Sequence, residues 1–544
     1  MRNFLVPLFF WLTFFLTSPL VASPEILASD LLPSPSHEMD SLFSANRGMR
    51  ESKHPGVEIQ EESGGKTQQG QESFRKKAEE GGETHFKWNP PVWAVLPFIL
   101  MLLCIAVLPL FAHHWWENDR NRALISLLLG VPVLYYTYRF SGGPGSEGNW
   151  HQILHVGEEY IAFIVLLGSL FMISGGIVIT GNLKGTPKIN TSFLAVGGLL
   201  ASFIGTTGAA MLLIRPILTT NKERKHKLHT VIFFIFIVCN TGGCLTPLGD
   251  PPLFLGFLKG VPFTWTFSLW KEWAFVVGSL LVVYFFLDWI AHSRETKSDL
   301  LLDEEHDRPL IVRGAQNFLF LGGVVMAVAM PDVFHFPSRE GFMILMALLG
   351  WFSTRPENRR QNAFSFAPIV EVAVVFIGIF STMIPALALL EARGGDLGVT
   401  TGHQFFWATG SLSSFLDNAP TYVSFLALAN GIHEWGSQYL DRVLIFAQGH
   451  EAHIMSLAQA KALALQWETQ GVQNIFIIPE KILTAISLGA VFMGAMTYIG
   501  NGPNFMVRSI ANEAGIKMPS FFGYLLWSVG ILVPILFLCN WVFV

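Results

Sequence analysis

Charge is what this chain has least of. Asp, Glu, Lys and Arg make up 14% of its 544 residues, against roughly 25% in soluble domains, too few to solvate a water-soluble protein of this length. The balance has no basic surplus either. A formal net charge of −5 offers nucleic acid no basic face, which excludes that partner class. Cysteine is scarce: Cys104, Cys239, Cys244 and Cys539 lie in or beside apolar segments, and Cys239 and Cys244 lack the CxxC spacing of a metal or redox pair. No Walker A sequence occurs, so nothing points to ATP as a direct energy source. His151 and His155 have the interval of a zincin motif without the Glu that follows its first His. No enzyme and no cofactor is implied.

What the chain does have is apolar mass. Hydrophobic residues are 51% of it, with 47 Phe and 16 Trp, gathered in runs of roughly 18–25 residues, the length that crosses a bilayer. The expected fold is an all-α polytopic membrane protein. Apolar spans fall near 92–112, 123–140, 160–181, 229–260, 273–290, 316–334, 340–352, 363–390, 482–511 and 520–543. Two more apolar stretches, 191–218 and 404–430, are interrupted at Gly205-Thr206-Thr207-Gly208 and at Leu416-Asp417-Asn418-Ala419-Pro420. In lipid such breaks survive only inside protein or beside a cavity.

Residues 1–23 read as a signal peptide: Arg2, an apolar run from Phe4 to Leu20, then Val21-Ala22-Ser23. Pro24 beside the cleavage point leaves an uncleaved anchor as the other reading. Residues 24–91 are poor in large apolar side chains and read as a disordered extracytoplasmic leader. Short loops rich in Lys and Arg stay cytoplasmic, which assigns to that side the loops with Arg120 and Arg122, Lys184 and Lys188, Lys222 to Lys227, and Arg355 to Arg360. All agree with an outside leader if the two interrupted stretches are re-entrant hairpins. Residues 431–480 then form an external loop with an amphipathic helix around Ile454 to Trp467, 291–315 form a cytoplasmic linker, and both the leader and the C-terminus are extracytoplasmic.

The chain carries a duplication. Aligned at their breaks, Ile204 to Ala209 stands against Phe415 to Pro420. Gly243 to Pro252 aligns without gaps against Gly494 to Pro503, with Gly243/Gly494, Thr246/Thr497, Gly249/Gly500 and Pro252/Pro503 identical. The span before each hairpin carries a carboxylate and a serine at one interval, Glu159 with Ser169 and Glu371 with Ser381. By the charge count the two halves, 92–290 and 316–544, are inverted relative to one another. Inverted repeats with broken helices are the pattern of secondary transporters, whose sites lie where the helices unwind.

The run Ser411-Leu412-Ser413-Ser414-Phe415-Leu416-Asp417-Asn418-Ala419-Pro420 and the run Asn240-Thr241-Gly242-Gly243-Cys244-Leu245-Thr246-Pro247-Leu248-Gly249-Asp250 resemble signatures of the ion transporter superfamily, in particular NhaD-type sodium/proton antiporters and the related citrate and arsenite permeases. The resemblance covers roughly Val92 onward. It implies two inverted five-span repeats, each with a re-entrant hairpin and a broken helix, and often a homodimer. Where such members commonly carry an Asp and Asn pair in the first hairpin, this chain aligns Thr206-Thr207, so one carboxylate is missing.

A carboxylate at membrane depth is costly and marks function. Asp417, beside Asn418 and Pro420, is the leading candidate to bind Na⁺ or a proton in turn, with capping of the following helix as its plainer reading. Asp250, in Gly-Asp-Pro-Pro, has the capping reading more strongly. Thr206, Thr207, Asn240, Thr241, Thr246, Thr497, Asn501 and Asn504 offer the neutral oxygens that suit a hard cation. Glu371, inside an apolar span, is a second proton-carrier candidate, whereas Glu158 and Glu159 read as solvated at the membrane edge beside His155. The expected function is sodium/proton exchange in a cell inner membrane. A coupled carrier of an anion such as citrate or arsenite is the alternative in the same fold.

Overall fold

The computed structural model describes residues 88–142, 149–296, 308–331, 333–472 and 474–544. The signal peptide and the leader up to residue 87 lie outside the described residues. The leader's last residues do pack: Trp88 is buried against Tyr136, and Asn89 accepts a hydrogen bond from Arg393 Nε at 3.1 Å.

Pro91 starts a short 3₁₀ turn that runs into α1 (Leu96–Phe111). α2 (Asp119–Phe140) is capped by Asn118, whose side chain accepts from Arg120 N at 3.0 Å. α3 covers His151–Ser174. It begins well before the apolar run at 160, because a helix needs only its buried face apolar, and it ends at Gly175 instead of reaching 181. Residues beyond it form a strand, β1 (Val178–Asn182). α4 (Pro187–Ile204) and α5 (Thr206–Thr220) follow, then α6 (Leu228–Ile237), a 3₁₀ turn at Thr241–Cys244, α7 (Pro251–Leu258) and α8 (Trp270–Ser293). The second half runs β2 (Arg308–Arg313), α9 (Asn317–Ala329), α10 (Ser338–Ser353), α11 (Pro356–Gln361), α12 (Ala367–Arg393), α13 (Gly402–Phe415) and α14 (Asn418–Asn430). After an insertion at 431–479 come α16 (Glu480–Met493), α17 (Gly502–Glu513), α18 (Phe521–Trp527), a π turn and α19 (Val533–Phe543).

Among the described residues, 7 helical segments are long and apolar enough to cross a membrane. Their outer faces are apolar. On α2, Leu124, Leu127, Leu128 and Val131 are exposed at helical spacing, a stripe suited to lipid rather than water. The interrupted segments lie inside instead. α6 is buried at nearly every position, and α7 and α16 nearly so, the all-round apolar pattern of a core helix. Each interrupted stretch folds back, with α4 packed on α5 and α13 on α14. The first reversal rests on Gly205, whose φ of +80° is open to glycine at little cost.

Helices do not account for everything. β1 pairs antiparallel with β2, Val178 opposite Arg313 and Ile179 opposite Val312, so part of the expected 291–315 linker is a strand. The insertion at 431–480, expected as a loop with one helix, is a small α/β unit. Its strands β3 (Val443–Ala447), β4 (His450–Met455) and β5 (Phe476–Pro479) are ordered β4-β3-β5, with α15 (Leu457–Thr469) packed on them. Val443, Ile445, Ala447, Ala460, Ala464 and Trp467 form its own core.

Close backbone contact at the broken segment is a stability requirement. A Cβ at Gly242 would lie 2.6 Å from Gly198 Cα, Gly198 O and Ile237 O, and none of these is a flexible side-chain end. Gly242→Ala is expected to cost about 1–3 kcal/mol by overpacking, read as a lowered Tm of the detergent-purified protein.

Candidate functional site

The site forms where helices are interrupted. Asp250 precedes Pro251, and proline pushes its neighbour to extended backbone; Asp250 has φ −139° and ψ 141°. Asn501, two residues before Pro503, has nearly the same conformation, φ −155° and ψ 141°. Each residue stands at the start of a helix, yet neither side chain caps it. The two side chains meet instead: Asn501 Nδ2 donates to Asp250 Oδ1 at 2.9 Å.

The hairpin breaks complete the cluster. Thr206 Oγ1 donates to Asp250 Oδ1 at 3.1 Å, and Asn418 Nδ2 to Asp250 Oδ2 at 2.6 Å. Asn501 Nδ2 also reaches Asn240 Oδ1 at 3.2 Å, and Asn240 Nδ2 donates to Asn504 Oδ1 at 2.7 Å. Asn504 Nδ2 closes the set on the carbonyls of Gly494 and Thr497, both at 2.9 Å. All of these polar side chains are buried. Four separate interruptions therefore converge on one carboxylate. Every side-chain donor to it is neutral, and among the described residues it has no ion pair. Asn418 Oδ1 is buried without a hydrogen-bond partner in the same place.

The remaining neutral candidates brace this centre. Thr246 Oγ1 donates to the carbonyl of Ser202, and Ser202 Oγ donates to Gly242 O at 2.5 Å. Thr497 Oγ1 donates to the carbonyl of Ser414 at 2.5 Å, and Ser414 Oγ donates to Met493 O at 3.2 Å. These paired contacts make Ser202 correspond to Ser414, which moves the hairpin alignment by one residue. Gly205 then matches Asp417, and Thr206 matches Asn418. The pairs Glu159/Glu371, Ser169/Ser381, Ser202/Ser414 and Thr206/Asn418 all share a single interval. Aligning at the breaks misses this, because one residue separates the first pair of arms and two separate the second. Thr241 bonds Phe236 O at 2.9 Å, and Thr207 is half-buried with no side-chain bond to Asp250.

Asp417 makes no hydrogen bond into the cluster, but its charge is close enough to act on Asp250. It is only partly buried, and its Oδ1 accepts from Ala419 N at 3.0 Å as the cap of α14. Of the two aspartates given a capping reading from sequence, Asp417 caps its helix and Asp250 does not. Glu371 is also elsewhere. Its side chain is 46% exposed in the first turns of α12 and meets Arg122 Nη2 at 2.9 Å, while Arg122 Nη1 holds Asp119 at 2.7 Å. Only its surroundings in sequence are free of charge.

Two buried ionic groups were not read as buried pairs from sequence, since the cations that meet them, Lys259 and Arg224, are remote in the chain. Glu159, expected at a solvated edge, is buried and meets Lys259 Nζ at 2.8 Å and His155 Nδ1 at 3.4 Å. Asp288 receives Arg224 Nη2 at 2.6 Å, His229 Nε2 at 2.8 Å and Asn190 Nδ2 at 3.1 Å. Asn190 and Asn221 bond one another in both directions at 2.8 Å, which closes the base of the first hairpin. Asp288 is the single charged residue in the apolar run 273–290, and that was its signal. Glu295 continues the group, accepting from His226 N at 2.8 Å and Lys225 N at 3.2 Å. Its burial alone would raise its pKa, but these two N–H groups and the Arg224 guanidinium outweigh that and hold it below the ordinary glutamate value.

Membrane-crossing apolar helices around a buried polar centre built from helix interruptions define a polytopic membrane transporter. The chain belongs to the family described as "Putative citrate transport" (CitMHS_2), which matches residues 87–544. A search of curated proteins finds no match.

Breaking one member of a buried ion pair costs about 3–5 kcal/mol, because the other charge is stranded. Lys259→Met is therefore expected to lower Tm sharply, and adding Glu159→Gln to recover most of the loss in a double-mutant cycle. Because folding lowers the Glu295 pKa, its contribution to stability is full above the unfolded glutamate value and is lost as pH falls through the folded one. Glu295→Gln should lower Tm at neutral pH and reduce the Tm difference from wild type in acid.

Proposed function

We propose that this protein is a secondary active transporter that exchanges Na⁺ for H⁺ at the Asp250 cluster. The observation that carries the reading is a buried carboxylate bonded only by neutral side-chain donors where four helix interruptions converge. A buried carboxylate is costly unless it is protonated, paired or bound to a metal cation. With no cationic side chain paired to it, Asp250 accommodates a proton or Na⁺ in alternation. Competition for one group is sufficient for exchange. The side-chain oxygens of Asn240 and Asn418 and the carbonyls at the breaks supply the further hard ligands that Na⁺ prefers.

The architecture behind this reading is a pair of inverted five-span repeats, each with a re-entrant hairpin and a broken helix. The matched Ser202/Thr246 and Ser414/Thr497 contacts support it, as does the one interval shared by the pairs from Glu159/Glu371 to Thr206/Asn418. In such folds, sites at broken helices near the midplane are exposed alternately to either side. Positive-inside bias puts the loops after α5 and α10 in the cytoplasm and the leader and C-terminus outside the inner membrane; a homodimer remains the assembly the resemblance implies. A second reading has a specific support in the family match: the same centre couples Na⁺ or H⁺ to an anion such as citrate.

Proton flux in proteoliposomes with an imposed pH gradient separates the two. Na⁺ or Li⁺ is expected to collapse the gradient. Asp250→Asn removes the one group that takes up the proton and Na⁺ in turn, so it should abolish the response. Asp417→Asn should keep most activity, since Asn caps a helix as well as Asp does. No response to cations, with citrate or arsenite moving instead, replaces the first reading by the second.

A further inference from the structure

Tyr284, Tyr422, Tyr498 and Tyr524 are fully buried. Three of them find partners: Tyr284 Oη meets Thr230 Oγ1 at 3.1 Å, Tyr498 Oη donates to Pro519 O at 3.2 Å, and Tyr524 Oη to Ala495 O at 2.9 Å. Tyr422 differs. Its hydroxyl and that of its buried polar neighbour Ser487 act on one another, yet neither completes a hydrogen bond among the described residues. A buried hydroxyl without a partner is costly, and two polar groups that stand close but unbonded are where a bridging water belongs.

The pair lies next to the Asp250 cluster. Tyr422 follows Asn418 by four residues on α14, which puts it on the same face and about 6 Å further along the axis. Asn418 Nδ2 holds Asp250 Oδ2, and Asn418 Oδ1 is a third buried oxygen without a partner. Gly256 of α7 makes the space, since a Cβ there would lie 2.5 Å from Tyr422 Oη. Past Gly256 the polar groups continue to the surface. Lys259 meets Glu159, Glu159 meets His155, and His155 meets Gln448, exposed in the turn between β3 and β4. The counterpart positions carry no such groups. By the intervals that pair Thr206 with Asn418 and Gly243 with Gly494, Tyr422 corresponds to Ala210, Ser487 to Phe236 and Gly256 to Val507, and all three counterparts are buried hydrocarbon.

We propose that Tyr422, Ser487 and Asn418 Oδ1 hold a short file of buried water that carries the proton between Asp250 and the face bearing the 431–479 insertion. The inference rests on the reading of Asp250 as the proton-binding group. A water takes up the proton that leaves the carboxylate and passes one of its own onward, so one proton moves and no bond of Tyr422 or Ser487 is consumed. Both are positioning residues: they fix the water and do not hold the charge.

The test takes two readouts from the full-length protein in detergent. Radiolytic hydroxyl labelling, read by mass spectrometry, marks side chains that touch bound water. Tyr422 is expected to label in spite of its burial, well above Tyr284 and Tyr524, and S487A to reduce that labelling. The second readout is stopped-flow proton release at saturating Na⁺. Y422F should keep the amplitude, which reports Asp250, and slow the rate about a hundredfold, with S487A slowed in the same direction. Tm of Y422F should stay level or rise, because the change removes a hydroxyl that no protein group satisfies. Labelling of Tyr422 no stronger than that of Tyr284, or wild-type release rates in both variants, would overturn the proposal and leave the Asp250 reading standing. No release by wild type with any cation would remove the Asp250 reading and the relay with it.

Discussion

Inside a bilayer a polar group has no water to fall back on, so each interruption of a helix must be satisfied by another part of the protein. In this chain the interruptions satisfy one another. Asp250, before Pro251, and Asn501 both have extended backbone, and their side chains, unused as caps, meet between the breaks at Thr206 and Asn418. Thr246 and Thr497 lock each broken segment to a hairpin carbonyl. The site and the fold are therefore one construction, since removing any break would strand polar groups at the others.

Charge is handled differently away from this centre. Arg224 with Asp288, Lys259 with Glu159 and Arg122 with Glu371 each neutralise a charge beside or within an apolar helix. Such pairs cost desolvation and are weak evidence for stability, but they fix which elements sit together. Asp250 differs from these three carboxylates: among the described residues, every side chain that hydrogen-bonds it is neutral. That contrast is the physical ground for treating it, rather than its better-paired neighbours, as the exchanging group.

Much of this was legible in the sequence. The span pattern, the two interrupted stretches and the paired Gly/Pro motifs follow from apolar run length and from residues that interrupt helices. Asn240, Asn501 and Asn504 were named as neutral oxygens suited to a hard cation and Asn418 for its place in the hairpin break, and the structure brings all four together with Asp250. The ranking of the aspartates was not legible. Capping depends on where a side chain points, and Asp417 and Asp250 both sit in sequences that permit it. Glu371 misled for a related reason: an apolar stretch shows no charge near it, while Arg122 arrives from another helix. The strands at 443–479 were hidden because Val443–Ala447 and Phe476–Pro479 are short unbroken apolar runs with no alternation to mark a strand, and β5 reaches β3 only from beyond α15.

The central claim is that one carboxylate, Asp250, binds the proton and the cation in competition. Proton release on adding Na⁺ or Li⁺ to the purified protein in weakly buffered solution tests it most directly, without assuming any direction of transport. The account predicts release by wild type and by Asp417→Asn, and none by Asp250→Asn. Undiminished release by Asp250→Asn, or no release by wild type with any cation, would contradict it.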